Sequence, residues 1–254
     1  MILRRVIAHF RKQEWFAISL DFLIVVIGVF VGMQVTNWNA ARELRASEKS
    51  HLAQLRDEVA TNVRLLDTHQ SYTREIVAAG RRALDFLGND KACAEKCVDL
   101  VIDLFHASQV WGTPYPSARF DENVRIGFPS EEGTRAKVEL FYLNMAGWSP
   151  INLTPPPFRL TLRGYLSPDA AVVLWGDCFG GSDDQPETLS RDCAGDLDPA
   201  DAAATLDAIR ADKSVANELR FWVGQNVFAL DEFSDTLRIA QTATAALDEE
   251  LAKR

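Results

Sequence analysis

The chain has 254 residues, 47% of them hydrophobic and 25% charged, with a formal net charge of −9 at pH 7. That balance excludes a wholly disordered chain and leaves material for one large domain or two small ones beyond any terminal segment. An acidic chain of this kind carries no broad phosphate-neutralising surface, which argues against nucleic acid as a partner.

Residues 1–14 come first in chain order. Ile2, Leu3, Val6, Ile7 and Phe10 share one side of a helix, and Arg4, Arg5, Arg11 and Lys12 surround the other. This is a basic amphipathic segment, either an interfacial helix on the cytoplasmic side or a flank continuing the next helix. Residues 15–35 then form a nearly unbroken apolar run, roughly 31 Å long as a helix, close to the hydrocarbon thickness of a bilayer. Trp15 and Trp38 bracket it where interfacial indoles settle. A secretory signal would have a shorter apolar core and a small-residue cleavage site. Gln34-Val35-Thr36-Asn37-Trp38 is a poor site of that kind, so an uncleaved transmembrane helix is expected.

Asp21 is the only ionisable residue of that run. An ionisable residue in a membrane helix is a functional candidate by default. The bland reading is an aspartate tolerated near the interface, since helical side chains lean toward the amino terminus and here toward water. The sharper reading is a proton relay. At a helical turn of 100° per residue, Asp21, Val25, Gly28 and Gly32 lie within about 40° of one line. Small residues four apart let two membrane helices approach, so this face is expected to support self-association unless the glycines are merely compositional.

From Asn37 to about Leu87 there is no proline, and apolar residues recur at helical spacing. This predicts one long helix, continuous or broken near Gln70 to Thr73. Asn62, His69, Thr73 and Gly80 interrupt its apolar seam, which favours packing against helices of the same chain over a sustained coiled coil. Gly88-Asn89-Asp90 ends it, and a shorter helix is expected from about Ala94 to Gln109. The prolines of 112–119 mark a loop. A helix over 132–146 follows, then a rigid connector at Pro155-Pro156-Pro157, an internal break at 154–157. Ser167-Pro168 reads as an N-cap followed by proline at the first helical position, opening a helix to about Trp175. The stretch from Gly180 to Pro199 is polar and irregular. Two helices close the chain, a short one from Pro199 and a long one from Ser214 to about Leu251. Leu219, Val223, Val227, Leu230, Leu237, Leu247 and Leu251 stripe the second, with Trp222 and Phe233. No stretch alternates as a sheet would, with a short hairpin near 118–128 left open. The fold class expected is mainly α: one transmembrane helix at 15–35, then an elongated helical bundle over 36–254, with two long antiparallel helices and irregular disulfide-bearing loops.

Cys93 and Cys97 lie four apart, and Cys178 and Cys193 fifteen apart. A four-thiolate zinc site usually has two tight hooks, which this spacing lacks. Free buried thiols are a second alternative. Disulfides in an oxidising compartment fit best, paired locally as Cys93–Cys97 and Cys178–Cys193. The first pair needs a distorted turn, because a regular helix orients such cysteines poorly. Basic residues flank both ends of the span, so charge alone sets orientation weakly. The disulfides decide it, placing the amino terminus in the cytoplasm and the domain in the periplasm.

No metalloprotease helix, phosphate loop, nucleophile elbow or dinucleotide fingerprint is present. His51 and His69 are about five helical turns apart, too far to share a metal. Asp183 with Asp184, and Asp192 with Asp196 and Asp198, lack the spacing of a helix-loop-helix calcium site. No catalytic residue, metal or cofactor is therefore expected.

The segment Leu23-Ile-Val-Val-Ile-Gly-Val-Phe-Val-Gly-Met-Gln-Val-Thr-Asn-Trp-Asn39, with an acid at 21, resembles a widespread bacterial family described only as a domain of unknown function. Members of that family have a short cytoplasmic start, one membrane helix ending in Gln-(Val/Ile)-x-Asn-Trp-Asn, and a helical domain. Arg163-Gly-Tyr-Leu-Ser-Pro168 and Leu219-Arg-Phe-Trp222 are similar to its proteobacterial branch, whereas 112–146 departs from the pattern. The resemblance implies a single-pass protein of the bacterial inner membrane and carries over no catalytic residue. The function expected is non-enzymatic: an anchored periplasmic domain that binds a partner protein or small ligand, in contact with the lipid bilayer and self-associating through the membrane helix. An accessory subunit of a proton-driven inner-membrane complex, using Asp21, is the first alternative. A periplasmic hydrolase is the second.

Overall fold

A computed structural model describes residues 15–153, 155–182, 185–193 and 195–254, leaving aside the side chains of residues 17 and 148–153. The amphipathic segment read at 1–14 and the acids Asp183 and Asp184 lie outside the described residues. Helices make up most of the chain: α1 Trp15–Leu87, α2 Cys97–Ala107, α3 Ala118–Ile126, α4 Glu132–Leu153, α5 Pro157–Gly164, α6 Pro168–Asp177, α7 Pro199–Ala211 and α8 Lys213–Ala252. The chain divides into a unit that ends at His51 and a larger one, Leu52–Lys253.

In the first unit α1 exposes its apolar side chains. Phe22, Leu23, Val25, Phe30 and Met33 are all more than half exposed. α1 contains a stretch long and apolar enough to cross a membrane, and none of that stretch is buried.

In the second unit the same helix turns its apolar side chains inward. Leu52, Leu55, Val59 and Leu66 are buried, and α1 runs antiparallel to α8. As α1 proceeds from Arg56 through His69 to Gly80, its neighbours on α8 run back from Asp248 through Phe233 to Val223. At Gly80 the two helices pack closely, and a methyl group there would collide with the Val223 side chain. No break occurs at Gln70 to Thr73: α1 is helical throughout. Two apolar clusters form the interior. One gathers the end of α1, α2, α5, α6, α7 and the start of α8 around Phe105, Phe158, Leu174 and Leu219. The other gathers the 52–66 stretch of α1, α4 and the later part of α8 around Phe141, Phe233 and Leu247.

Local chemistry sets the helix ends. Ser167 Oγ accepts from the Ala170 amide, with Pro168 at the first helical position, as the sequence predicts. Asp198 and Asp212 cap α7 and α8 by accepting from the amides of Ala200 and Ser214. Gly127, at φ 78°, closes α3 in a left-handed conformation that a side chain would disfavour.

Three sequence expectations are corrected. Residues 118–128 form α3 and no hairpin, because the amide groups of its first turn find an acceptor in the Glu58 carboxylate. The irregular stretch after Gly180 contains an antiparallel hairpin, β1 Phe179–Ser182 with β2 Gln185–Leu189. It escapes an alternation test because its strands are short and glycine-rich, and Gly181 supplies a bulge at φ 140°. Val227 lies outside the inner stripe of α8 and is 36% exposed, and Asn226 takes the inward position instead.

Candidate functional site

The residues singled out in the candidate membrane span all lie on exposed positions of α1. Asp21, Val25, Gly28 and Gly32 face no other part of the chain among the described residues, and an added methyl group at either glycine meets nothing within 4 Å. Trp15 is 65% and Trp38 62% exposed, with the Arg42 guanidinium 6.0 Å above the Trp38 ring. The cysteines form two disulfides, Cys93–Cys97 and Cys178–Cys193, leaving no free thiol and no zinc site. The Cys93–Cys97 turn is a 3-10 turn, Ala94–Lys96, entered through Ala94 at φ 51°, which is the distorted turn that this spacing demands. Among the described residues no three His, Cys, Asp or Glu side chains converge as metal ligands would.

The structure builds a different site, around the loop from Gly112 to Ser117. Four side chains of α1 hold the loop and the segments that flank it. Glu58 accepts from the Arg119 and Phe120 amides at 2.8 and 3.0 Å and from the Tyr142 hydroxyl at 2.7 Å. Asn62 Nδ2 donates to the Pro116 carbonyl at 2.9 Å. His69 Nδ1 is hydrogen-bonded to the Tyr115 hydroxyl at 2.7 Å. The Tyr72 hydroxyl donates to the Val110 carbonyl at 3.2 Å. From the other side the hairpin holds the loop's beginning: Glu187 accepts from the Gly112 amide at 2.9 Å, and its own amide donates to Thr113 Oγ1. An added methyl at Gly112 would lie 2.7 Å from a Glu187 carboxylate oxygen, so the Glu187 side chain would have to shift off the Gly112 amide. Prolines at 114 and 116 remove amide donors that would otherwise need partners in this loop.

Between loop, α1, α3 and α4 lies a pocket of about 410 Å³, within the range of small-molecule sites. Its walls include Trp111, Tyr115, Phe120 and Tyr142. Phe120 and Tyr142 stack in parallel with ring centres 4.1 Å apart. Trp111 stacks on the His69 ring at 4.4 Å, and Phe233 meets the opposite partner edge-on at 4.6 Å. Rings packed this way hold one another in fixed orientations.

Burial drives the His69 pKa down to about 3, so its imidazole is neutral at physiological pH. Burial also raises Tyr115 and Tyr142 above the ordinary phenol range, and in Tyr142 the Glu58 carboxylate adds to the effect. Both hydroxyls stay protonated.

Three other polar or open regions lack that organisation. Arg159 and Arg163 donate to the Ser108 carbonyl and hydroxyl, and Arg163 lies over the Phe105 and Trp175 rings. Burial, aided by the Arg159 charge, lowers Arg163 to about 10. They pin α5 to the end of α2. A hollow of about 690 Å³ near Cys93 is lined by charges of both signs, and its buried Asp103 is already saturated by Arg82 and Arg191. A groove of about 440 Å³ between α4 and α8 mixes polar residues such as Asn144, Gln225 and Glu232 with Leu143 and Phe228, which are 71% and 65% exposed.

Comparisons with protein-family profiles, with curated proteins and with solved structures return no match to this chain. The aromatic pocket was not among the sequence-derived site residues. Its signal was nonetheless present, because Asn62, His69 and Thr73 stood out as polar residues at seam positions of an otherwise apolar helix. Asn62 and His69 are the two that hold the loop.

Proposed function

We propose that this chain is a membrane-anchored, non-enzymatic binding protein whose helical domain holds a small molecule in the pocket beneath the 112–117 loop. The observation that carries the reading is that pocket: about 410 Å³, four aromatic residues in its walls, and a loop whose residues make four hydrogen bonds to α1 and the hairpin. A pre-formed apolar cavity with its groups already fixed loses little ordering entropy on binding. The exposed apolar stretch of α1 supports anchoring in a bilayer. Two disulfides and no free thiol support an oxidising compartment for the domain. With the resemblance of residues 21–39, this gives a bacterial inner-membrane protein with its amino terminus cytoplasmic and its domain periplasmic.

Native mass spectrometry of the full-length protein released from its own membrane tests the reading. The expected result is a bound small molecule that is lost from an Ala146→Trp variant, in which an indole at the pocket rim fills the cavity. A parent protein and variant that carry the same bound mass overturn the pocket as the binding site.

A further inference from the structure

We infer that the pocket beneath the 112–117 loop selects a small organic cation, an amine or quaternary ammonium compound, over neutral and anionic molecules of the same shape. The inference rests on the binding reading above and names its ligand class. Four aromatic residues line the pocket: Trp111, Tyr115, Phe120 and Tyr142. Aromatic faces carry negative quadrupole potential and attract cations, most strongly where water is excluded.

The charges point the same way. Asp121 is the one charged residue in the pocket lining, and no lysine or arginine lines it. Asp121 stands at the first turn of α3, where its carboxylate accepts from Ser117 Oγ at 3.1 Å and retains further lone pairs for a ligand. A second carboxylate, buried Glu58, lies behind the Phe120 and Tyr142 wall and accepts from both. The nearest base in sequence, Arg119, is turned away to Glu122. His69, on the Tyr115 side, brings no positive charge near neutral pH because burial keeps it unprotonated. An anion entering here would meet Asp121 with no lysine or arginine in the lining to compensate it, while a cation would meet aromatic rings and Asp121 together. A neutral molecule would gain only apolar contact.

The test is calorimetry on the full-length chain in detergent, using choline as the cationic probe and 3,3-dimethylbutan-1-ol as its neutral isostere. Choline is expected to bind at least about fivefold more tightly, the ratio that a modest cation–π contribution gives. Asp121→Asn, an exposed substitution of nearly equal size, should weaken choline severalfold and leave the alcohol unchanged. Ala146→Trp should remove binding of both. If the alcohol binds as tightly as choline, the cation preference is wrong and the pocket reading stands. If neither binds the parent protein, or if both still bind Ala146→Trp, the pocket reading fails with it. Equal loss of both probes in Asp121→Asn would show that Asp121 shapes the pocket without selecting charge.

Discussion

α1 presents its apolar residues in opposite ways in the two units. Before His51 its leucines, valines and phenylalanines are exposed, and from Leu52 on they are buried or half-buried. What separates the two stretches is pattern: 18–35 is apolar all around the helix, whereas 52–87 is apolar on one stripe and charged elsewhere. An all-round apolar surface asks for lipid, and a stripe asks for other helices. The same substitution should therefore have opposite consequences in the two regions. Leu66→Ala, at a site with no exposure, is expected to destabilise the domain by about 2–5 kcal/mol in urea unfolding. Leu23→Ala, 52% exposed, should leave domain unfolding unchanged. If both variants shifted the domain's unfolding midpoint alike, the division of α1 into a lipid-facing and a core-facing part would be wrong.

The disulfides sharpen the contrast inside the second unit. The Cys178–Cys193 bridge closes a 15-residue separation around the hairpin that holds Glu187 against Gly112. By loop entropy alone such a closure contributes about 3 kcal/mol, and the four-residue Cys93–Cys97 closure contributes less. Replacing Cys178 and Cys193 by serine should lower the thermal midpoint more than replacing Cys93 and Cys97, and only the first pair should also weaken ligand binding. Equal effects on binding would disconnect the hairpin from the pocket loop.

Much of the fold was legible because its signals are local. The antiparallel pairing of the first and last long helices follows from two apolar stripes at the ends of one domain. The Ser167-Pro168 cap and the local cysteine pairs follow from residue spacing. The pocket was not legible, because it depends on contacts between residues far apart in sequence, such as Glu58 with Tyr142 and Gly112 with Glu187. The hairpin was lost for a related reason: strands of four and five residues, rich in glycine and polar groups, gain their place from the disulfide around them and from Glu187. α5 was missed between two proline-marked segments, where Pro157 reads as a connector but serves as the first helical residue. Asn62, His69 and Gly80, which spoil the α1 seam on paper, serve in turn as a loop tether, a stacked ring and a close helix approach.

His69 gives a pH test of that buried site. The unfolded chain takes up a proton at this imidazole near pH 6.5, and the folded chain only near pH 3. Stability is thus full above pH 6.5 and is lost as pH falls toward 3. The His69 share of that loss has a slope of up to about 1.4 kcal/mol per pH unit. Comparing urea unfolding at pH 7, 6 and 5 for the parent and His69→Gln isolates this share from the carboxylates. The parent should lose more stability over this range than the variant. Parallel curves would mean that His69 is open to water, and that the Trp111 and Tyr115 walls it supports are not closed.

The smallest expected effect lies in the first unit, where Gly28 and Gly32 share a line with Asp21 and Val25. We expect two copies of the membrane helix to associate along this face, since small residues four apart allow backbones to approach. A contact worth about 1 kcal/mol corresponds to roughly a fivefold change in association. The structure makes the test clean. An added methyl at either glycine meets nothing within 4 Å in the chain's own fold, so Gly28→Ile with Gly32→Ile should not disturb one copy. Any loss in a membrane-helix association assay is then a loss between copies. Asp21→Asn should preserve or strengthen association, because two aspartates brought together along this line repel each other. Unchanged association in the double isoleucine variant would mean that the glycines are ordinary membrane-helix composition. An increase on Asp21→Asn with no response to isoleucine would move the contact to another face of the same helix.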